Sequence, residues 1–259
     1  MTASETAAAL SAARIDDFVR QGYVRLDEAF PQSVAAEVRA RLWQDLPGDP
    51  ADPATWTQPV VRLGMYAEPA FVAAANTPRL RSAFDQLAGP GAWRPCGAMG
   101  TFPVRFPSTQ DPGDAGWHID VSFGEGTDYM QWRVNARSRG RLLLMLFLFS
   151  DVGEADAPTR VRVGSHKAIA RRIAPAGEAG VTLGDLIAED FAGTSDCEVA
   201  PVIGRAGTVY LCHPFLVHAA QPHRGTEPRF LAQPPLLPRD WPDGGVDPCS
   251  VIGRASGPA

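Results

Sequence analysis

The sequence predicts a β-sandwich or jelly roll with packed helices, and two observations lead to this prediction. Helical patterns fill most of residues 11–90, and several short strand-like segments follow over residues 96–237. Strands that follow a helical beginning are typical of folds in which helices cover a sheet sandwich. We find no internal repeat, so we expect a single domain over residues 1–259 that ends in a Pro- and Gly-rich tail, residues 238–259.

The helical part begins with an amphipathic segment at residues 11–21. Three apolar residues share one face at helical spacing: Ile15, Phe18 and Val19. Gly22 ends this helix, and the alternating Tyr23–Leu26 predicts a short strand.

A second helix is expected at residues 33–46, with its apolar stripe after Pro31. Residues 47–59 hold several prolines and aspartates and predict a loop, whereas residues 69–88 return to a helical pattern interrupted near Pro78.

The later segments change character, and five of them predict strands: residues 98–106, 141–149, 160–163, 208–216 and 229–236. The second is a compact apolar run of the length of a buried strand. The third alternates polar and apolar residues, as a half-exposed strand does. The tail after Pro238 is expected to wrap the surface or fray.

Composition excludes several classes of protein. The 259 residues are 45% hydrophobic and carry a formal net charge of -5, so we expect no nucleic-acid or anionic-membrane partner. Four scattered cysteines without a CxxC pair argue against a zinc finger or a disulfide framework. The N-terminus lacks a secretion signal, and no apolar run approaches the roughly 20 residues that span a bilayer. We therefore expect a cytoplasmic protein.

One tripeptide indicates chemistry, namely His118-Ile119-Asp120. Side chains alternate along an extended segment, so His118 and Asp120 point the same way and can provide two adjacent metal ligands. A histidine from another strand would complete the two-His, one-carboxylate set that non-haem Fe(II) oxygenases use. His213 and His218 both qualify, but they are five apart on one predicted strand, so only one can face the metal. Alternatively, His118 and Asp120 simply hydrogen-bond each other.

Further motifs make the chain similar to the phytanoyl-CoA dioxygenase family of 2-oxoglutarate oxygenases. These motifs are the HxD tripeptide, Val163-Gly164-Ser165-His166-Lys167, and His213-Pro214-Phe215-Leu216-Val217-His218. The opening at Phe18 to Leu26 also resembles the family, and the likeness runs over most of residues 15–236. The resemblance implies a double-stranded β-helix, and its HPxxxH pattern favours His218 as the third ligand and a structural role for His213.

The resemblance also implies the cofactors, which are Fe(II), 2-oxoglutarate as cosubstrate, and O2. In the family an arginine eleven residues beyond the distal histidine binds the remote carboxylate of 2-oxoglutarate, and His218 plus eleven is Arg229. Arg105 lies near a second family position that contacts the cosubstrate. Alternatively, Arg229 is a strand-edge arginine paired with an acid. The alternative for Arg105 is a role at the surface.

The remaining histidines have simpler interpretations. His166 is expected to bond to backbone in a turn, and His223 to be solvated in a polar loop. The sequence also departs from the family: Ala220 stands where a small hydroxyl residue is common, and residues 142–149 lack the family's central-strand tryptophan.

Residues 121–140 form a longer segment than the family has, and a substrate lid is expected there. Its aromatic residues are candidate substrate contacts: Phe123, Tyr129 and Trp132. Its arginines, together with Arg141, either meet an anionic substrate or belong to a solvated charged loop.

Asp120 favours hydroxylation or desaturation, because the resemblance implies that a carboxylate ligand blocks the position taken by halide in related halogenases. The substrate is expected to be a small metabolite or natural-product intermediate, and the sequence does not predict the oligomeric state. The alternatives are a jelly-roll binding protein without turnover and a metal-dependent hydrolase or isomerase of the cupin kind. Neither of these requires Arg229.

Overall fold

The computed structural model describes residues 8–257, and it packs the N-terminal helices against one face of the larger of two main antiparallel sheets, beside two two-stranded sheets. The sequence predicts an N-terminus without a secretion signal. Residues 1–7 of that N-terminus lie outside the described residues. Among residues 8–257, no helix combines the length and apolar character needed to cross a membrane.

Residues 8–257 contain seven α-helices: α1 (Ala12–Gln21), α2 (Gln32–Trp43), α3 (Pro69–Ala75), α4 (Pro78–Ala88), α5 (Ser165–Ile173), α6 (Leu183–Ala188) and α7 (Val251–Ala255). The first four confirm the predicted helical part, including the break before Pro78. Gly22 ends α1 in a left-handed conformation (φ 85°), which glycine adopts without strain.

The described part of the chain contains twelve strands: β1 (Tyr23–Leu26), β2 (Val60–Leu63), β3 (Phe102–Arg105), β4 (Arg133–Val134), β5 (Leu143–Leu148), β6 (Arg160–Arg162), β7 (Val181–Thr182), β8 (Val199–Pro201), β9 (Val209–Cys212), β10 (His218–Ala219), β11 (Leu231–Ala232) and β12 (Pro235–Leu236). The larger sheet has the order β1-β9-β5-β11, with β12 also paired to β5. The smaller sheet has the order β10-β6-β8.

Strand β5 divides the core in two because its side chains alternate between the faces of the larger sheet. Leu143, Met145 and Phe147 pack with helices α1 to α4 and α7 in one apolar cluster. Leu144, Leu146 and Leu148 pack instead with Val161 of β6 and with residues of β9 and β11. The second cluster fills the space between the two sheets, which is the interior of a jelly roll, and the predicted fold class is confirmed.

Two predictions about local structure were wrong. Strand β6 is not half exposed, since Val161 and Arg162 are both buried. The tail does not simply wrap the surface or fray, because helix α7 inserts Val251, Ile252 and Ala255 into the core beside α1 and α4. Proline and glycine are abundant in this tail, but Ser250 caps a short helix whose apolar residues have a core to join.

A buried histidine pair connects the tail to the rest of the fold. The rings of His166 and His213 lie 4.9 Å apart. His213 Nε2 donates to the Ile252 carbonyl of α7 at 3.2 Å, and its Nδ1 accepts from the Phe215 N–H at 3.1 Å, so this ring is neutral. Burial and the nearby Lys167 lower the pKa of His166 to about 4.

Replacing Ile252 with alanine should lower the free energy of unfolding by about 2–5 kcal/mol, because the side chain is fully buried and its removal leaves a cavity. Urea denaturation of the wild type and the variant measures this difference. Ile187→Ala is the matched control, since Ile187 is 42% exposed and its truncation should change little. Equal stability losses in the two variants would contradict the packing of α7.

Acid should destabilise the fold through the same histidines. The unfolded chain binds a proton near pH 6.5, whereas folded His166 resists protonation until about pH 4. The stability contributed by His166 is therefore complete above pH 6.5 and is lost as the pH falls, by about 2 kcal/mol at pH 5. Denaturation curves at pH 7 and pH 5 measure this loss, which should be smaller in His166→Gln.

Candidate metal centre

Backbone pairing brings His118 and His218 together. His118 donates its N–H to the carbonyl of His218 at 2.9 Å, and His218 returns the same bond to His118 at 2.9 Å. Asp120 follows two residues later in the extended segment, so it lies on the same side as His118. The HxD segment thus continues the smaller sheet beyond β10, and the sequence-predicted ligands meet at its edge.

The three side chains converge on one point. Ligand atoms of His118, Asp120 and His218 all lie within 4.8 Å of one another, and Asp120 Oδ1 lies 3.9 Å from His218 Nε2. Each imidazole Nδ1 lies 3.0 Å from a backbone carbonyl, that of Gly116 for His118 and that of Leu216 for His218. These bonds place the proton on Nδ1 and leave both Nε2 lone pairs available to a metal. The donor set fits Fe(II).

Electrostatics keep His218 and Asp120 in the protonation states that a metal requires. Burial and neighbouring His118 lower the pKa of His218 to about 4, despite the opposing effect of Asp120, so His218 is neutral at physiological pH. Burial raises the pKa of Asp120, but Arg141 and the two imidazoles outweigh it, and the pKa lies below its ordinary value. The carboxylate is therefore ionised and the His218 imidazole is free to coordinate.

Arg141 is the residue of this centre that the sequence prediction misplaced. Its Nη1 donates to Asp120 Oδ2 at 2.8 Å, and its side chain is 14% exposed. The solvated-loop interpretation is therefore wrong for Arg141. Two other arginines of residues 121–140 bond elsewhere: Arg133 contacts the Gly180 carbonyl and Arg139 pairs with Asp243.

Arg105 and Arg229 form a second buried cluster. They are paired through their backbones in both directions, at 3.1 and 2.8 Å, and each side chain is 2% exposed. The surface role considered for Arg105 is therefore wrong. Arg229 donates to the carbonyls of Ala157 and Pro103, and none of the described acids forms an ion pair with it.

The arginine cluster has donors to spare. Within residues 8–257, Arg105 Nε, Arg105 Nη1 and Arg229 Nε have no hydrogen-bond partner. Asp114 neutralises one charge through a 2.7 Å bond to Arg105 Nη2 and also pairs with exposed Arg62. Burial and adjacent Arg105 lower the pKa of Arg229 to about 9, which still leaves it charged at pH 7. Two buried cations, one acid and unpaired donors fit a carboxylate ligand.

The three aromatic candidates lie in the segment between Asp120 and β5. Tyr129 is 42% exposed, but burial of its phenol and the nearby Asp120 carboxylate raise its pKa to about 12. Trp132 Nε1 donates to the Gly126 carbonyl at 3.1 Å, and the Phe123 ring lies 5.3 Å from the Arg139 guanidinium. The Tyr129 phenol is therefore close enough to the candidate metal ligands for the Asp120 charge to act on it.

The remaining histidines are structural. His213 lies in the histidine pair and not among the ligands. His166 bonds to backbone as predicted, with Nε2 3.3 Å from the Val19 carbonyl, but it lies in the first turn of helix α5 and not in a loop turn. The expectation that His223 is solvated was wrong, since it is 3% exposed. Burial lowers the pKa of His223, partly offset by Asp156, and Arg229 lowers it further. No spacing in the sequence signals that this loop folds onto the arginine cluster.

The family model for phytanoyl-CoA dioxygenase (PhyH) matches residues 18–231. A search of curated protein sequences finds no match.

Solved structures share the fold at low identity. HygX from Streptomyces hygroscopicus, with nickel and 2-oxoglutarate bound, is 20% identical over 90% of this chain and 89% of its own, with a TM-score of 0.58. EctD from S. alaskensis, with 2-oxoglutarate and 5-hydroxyectoine, is 20% identical over 90% of this chain and 77% of its own, with a TM-score of 0.56. The carbocyclase SnoK from nogalamycin biosynthesis is 16% identical over 89% of this chain and 85% of its own, with a TM-score of 0.58.

We expect the purified chain to bind one divalent ion through the three convergent residues. Titration with Co(II), a redox-stable substitute for Fe(II), should show binding that His118→Ala, Asp120→Ala and His218→Ala each abolish. His213→Gln is the control, which should lower stability but keep the metal site, because His213 bonds to α7 and Phe215. Binding that survives all three alanine substitutions would place the metal elsewhere.

Proposed function

The chain belongs to the phytanoyl-CoA dioxygenase family of Fe(II)- and 2-oxoglutarate-dependent oxygenases, and we propose that it hydroxylates a small molecule with iron held by His118, Asp120 and His218. The observation that carries this proposal is the convergence of these three ligand atoms within 4.8 Å, with both imidazole Nε2 atoms free.

The protein's own groups would do three things. His118, His218 and Asp120 would hold the metal from one side and leave three positions open. When bound, Fe(II) supplies the oxidising chemistry, in which 2-oxoglutarate and O2 are consumed and succinate and CO2 are formed. Arg229, supported by Arg105, would bind the remote carboxylate of 2-oxoglutarate and so orient its keto acid end toward the metal.

Charge balance supports this place for the cosubstrate carboxylate. Arg105, Arg229 and Asp114 together carry one net positive charge, and one carboxylate would neutralise it. Burial of an uncompensated arginine is unfavourable, so a carboxylate ligand would supply both the missing charge and acceptors for the unpaired donors. The far carboxylate of 2-oxoglutarate is a ligand of this chemistry.

Hydroxylation is the reaction that we infer from Asp120. A carboxylate at this position fills the place that a halide would need, and the intact triad favours insertion of oxygen into a C–H bond. The substrate would lie against the lid side of the centre, where the Tyr129 phenol is close to Asp120. Small molecules occupy related folds, since HygX has been seen with hygromycin B and EctD with 5-hydroxyectoine.

The proposal is tested by adding 2-oxoglutarate to the Fe(II)-loaded protein without oxygen and recording the weak visible metal-to-ligand band. Wild type should give the band, and Arg229→Ala should need about ten- to a hundredfold more 2-oxoglutarate, because it loses a charge-assisted contact. Arg224→Ala is the matched control, since Arg224 is exposed and its side chain bonds, among the described residues, only to the Ser108 carbonyl.

Two further results separate the proposal from its alternatives. With oxygen and a true substrate, succinate should form in step with a product heavier by one oxygen atom. A wild-type protein that gives no band and binds neither ligand would be a binding protein without oxygenase turnover. A metal-dependent hydrolase would bind the metal but show no response to 2-oxoglutarate or to the Arg229 substitution.

A further inference from the structure

The two oxygens of Asp120 have different surroundings. Oδ1 is the oxygen that lies 3.9 Å from His218 Nε2. Oδ2 accepts a 2.8 Å hydrogen bond from Arg141 Nη1. The carboxylate is thus divided between an oxygen beside the His218 imidazole and an oxygen held by a cation.

The backbone holds Arg141 firmly in place. The Arg141 N–H donates to the Ser138 carbonyl at 3.0 Å, and the next residue, Leu142, donates to Leu236 at 2.8 Å at the start of β5. The guanidinium therefore approaches Asp120 from the hydrogen-bonded turn that leads into β5.

Gly140 makes this approach possible. Its φ is 84°, and a Cβ at this position would lie 3.2 Å from the carbonyl oxygen of Ser122. Ser122 is two residues beyond Asp120, so the close packing of Gly140 on Ser122 brings Arg141 level with the carboxylate. A larger residue would separate the two segments.

The number of carboxylate oxygens on the metal matters for the proposed reaction. Carboxylates bind metals through one oxygen or through both. Three single-atom protein ligands leave three of six octahedral positions, and 2-oxoglutarate requires two adjacent ones for its keto acid end. A second oxygen from Asp120 would take one of the three and compete with the cosubstrate. A hydrogen-bonded, charge-compensated oxygen is a poor competitor.

Resting on the proposed function, we propose that Arg141 is a positioning residue that restricts Asp120 to a single metal-coordinating oxygen and thereby keeps the position for 2-oxoglutarate open. Arg141 touches a ligand and not the reacting atoms. Its removal should therefore weaken cosubstrate chelation while the three protein ligands still bind the metal. Loss of a merely structural arginine would weaken both steps together or neither.

The test measures the two steps separately in Arg141→Met, Arg141→Lys and wild type. Metal affinity is taken from Co(II) titration, and cosubstrate affinity from the anaerobic Fe(II) and 2-oxoglutarate band. Arg141→Met should bind Co(II) like wild type and require about tenfold or more additional 2-oxoglutarate for half-saturation. Arg141→Lys keeps a cationic donor and should recover most of the wild-type affinity. Arg137→Met is the matched control, an exposed arginine in the same segment.

The outcomes distinguish this inference from the function on which it rests. A selective loss of 2-oxoglutarate affinity in Arg141→Met that lysine repairs supports the role of Arg141. The role of Arg141 is overturned if a folded Arg141→Met loses metal and cosubstrate binding equally, or if neither changes. In that case the band of the wild type still supports the proposed function. If Arg141→Met does not fold, Arg141→Gln takes its place, because glutamine also removes the cation. A folded Arg141→Gln that shows the selective loss supports the role, and one with wild-type affinities and no loss relative to Arg137→Met overturns it. A wild type without the band removes both.

Discussion

The reciprocal backbone bond between His118 and His218 is the contact on which the centre depends. It joins two segments that are 100 residues apart in the chain and sets their register, so that His118, Asp120 and His218 face one another. A shift of one residue would turn each of these side chains to the opposite face. The jelly roll supplies the rigidity behind this bond, because β6 pairs with β10 on the far side.

The fold also has to bury charge, and it does so in two different ways. At the candidate metal centre, Asp120 has Arg141 as a partner and the neutral His218 imidazole beside it. At the arginine cluster, the charges of Arg105 and Arg229 are only partly offset by Asp114. An incompletely compensated buried cluster lowers stability, and such clusters concentrate at binding sites.

Local and periodic features of this protein could be predicted from its sequence, but contacts between distant segments could not. Alternation in the HxD segment and the spacing from His218 to Arg229 placed the candidate residues, and the helical patterns placed α1 to α4. The contact between Arg141 and Asp120 depends on how residues 121–140 fold back, which no periodicity records. The burial of His223 and of helix α7 likewise depends on what packs over them, and composition alone indicated exposure.

The docked tail has a practical consequence for anyone who shortens or tags this chain. Truncation at Pro238 would remove only a Pro- and Gly-rich tail by sequence, yet it would remove the buried apolar residues of α7. It would also remove the Ile252 carbonyl that accepts a hydrogen bond from His213. His213 lies only five residues before His218, so the loss of α7 would disturb the segment that carries His218 into β10. Affinity tags therefore belong at the N-terminal end, and a C-terminally shortened chain should keep every residue up to and including Ser256.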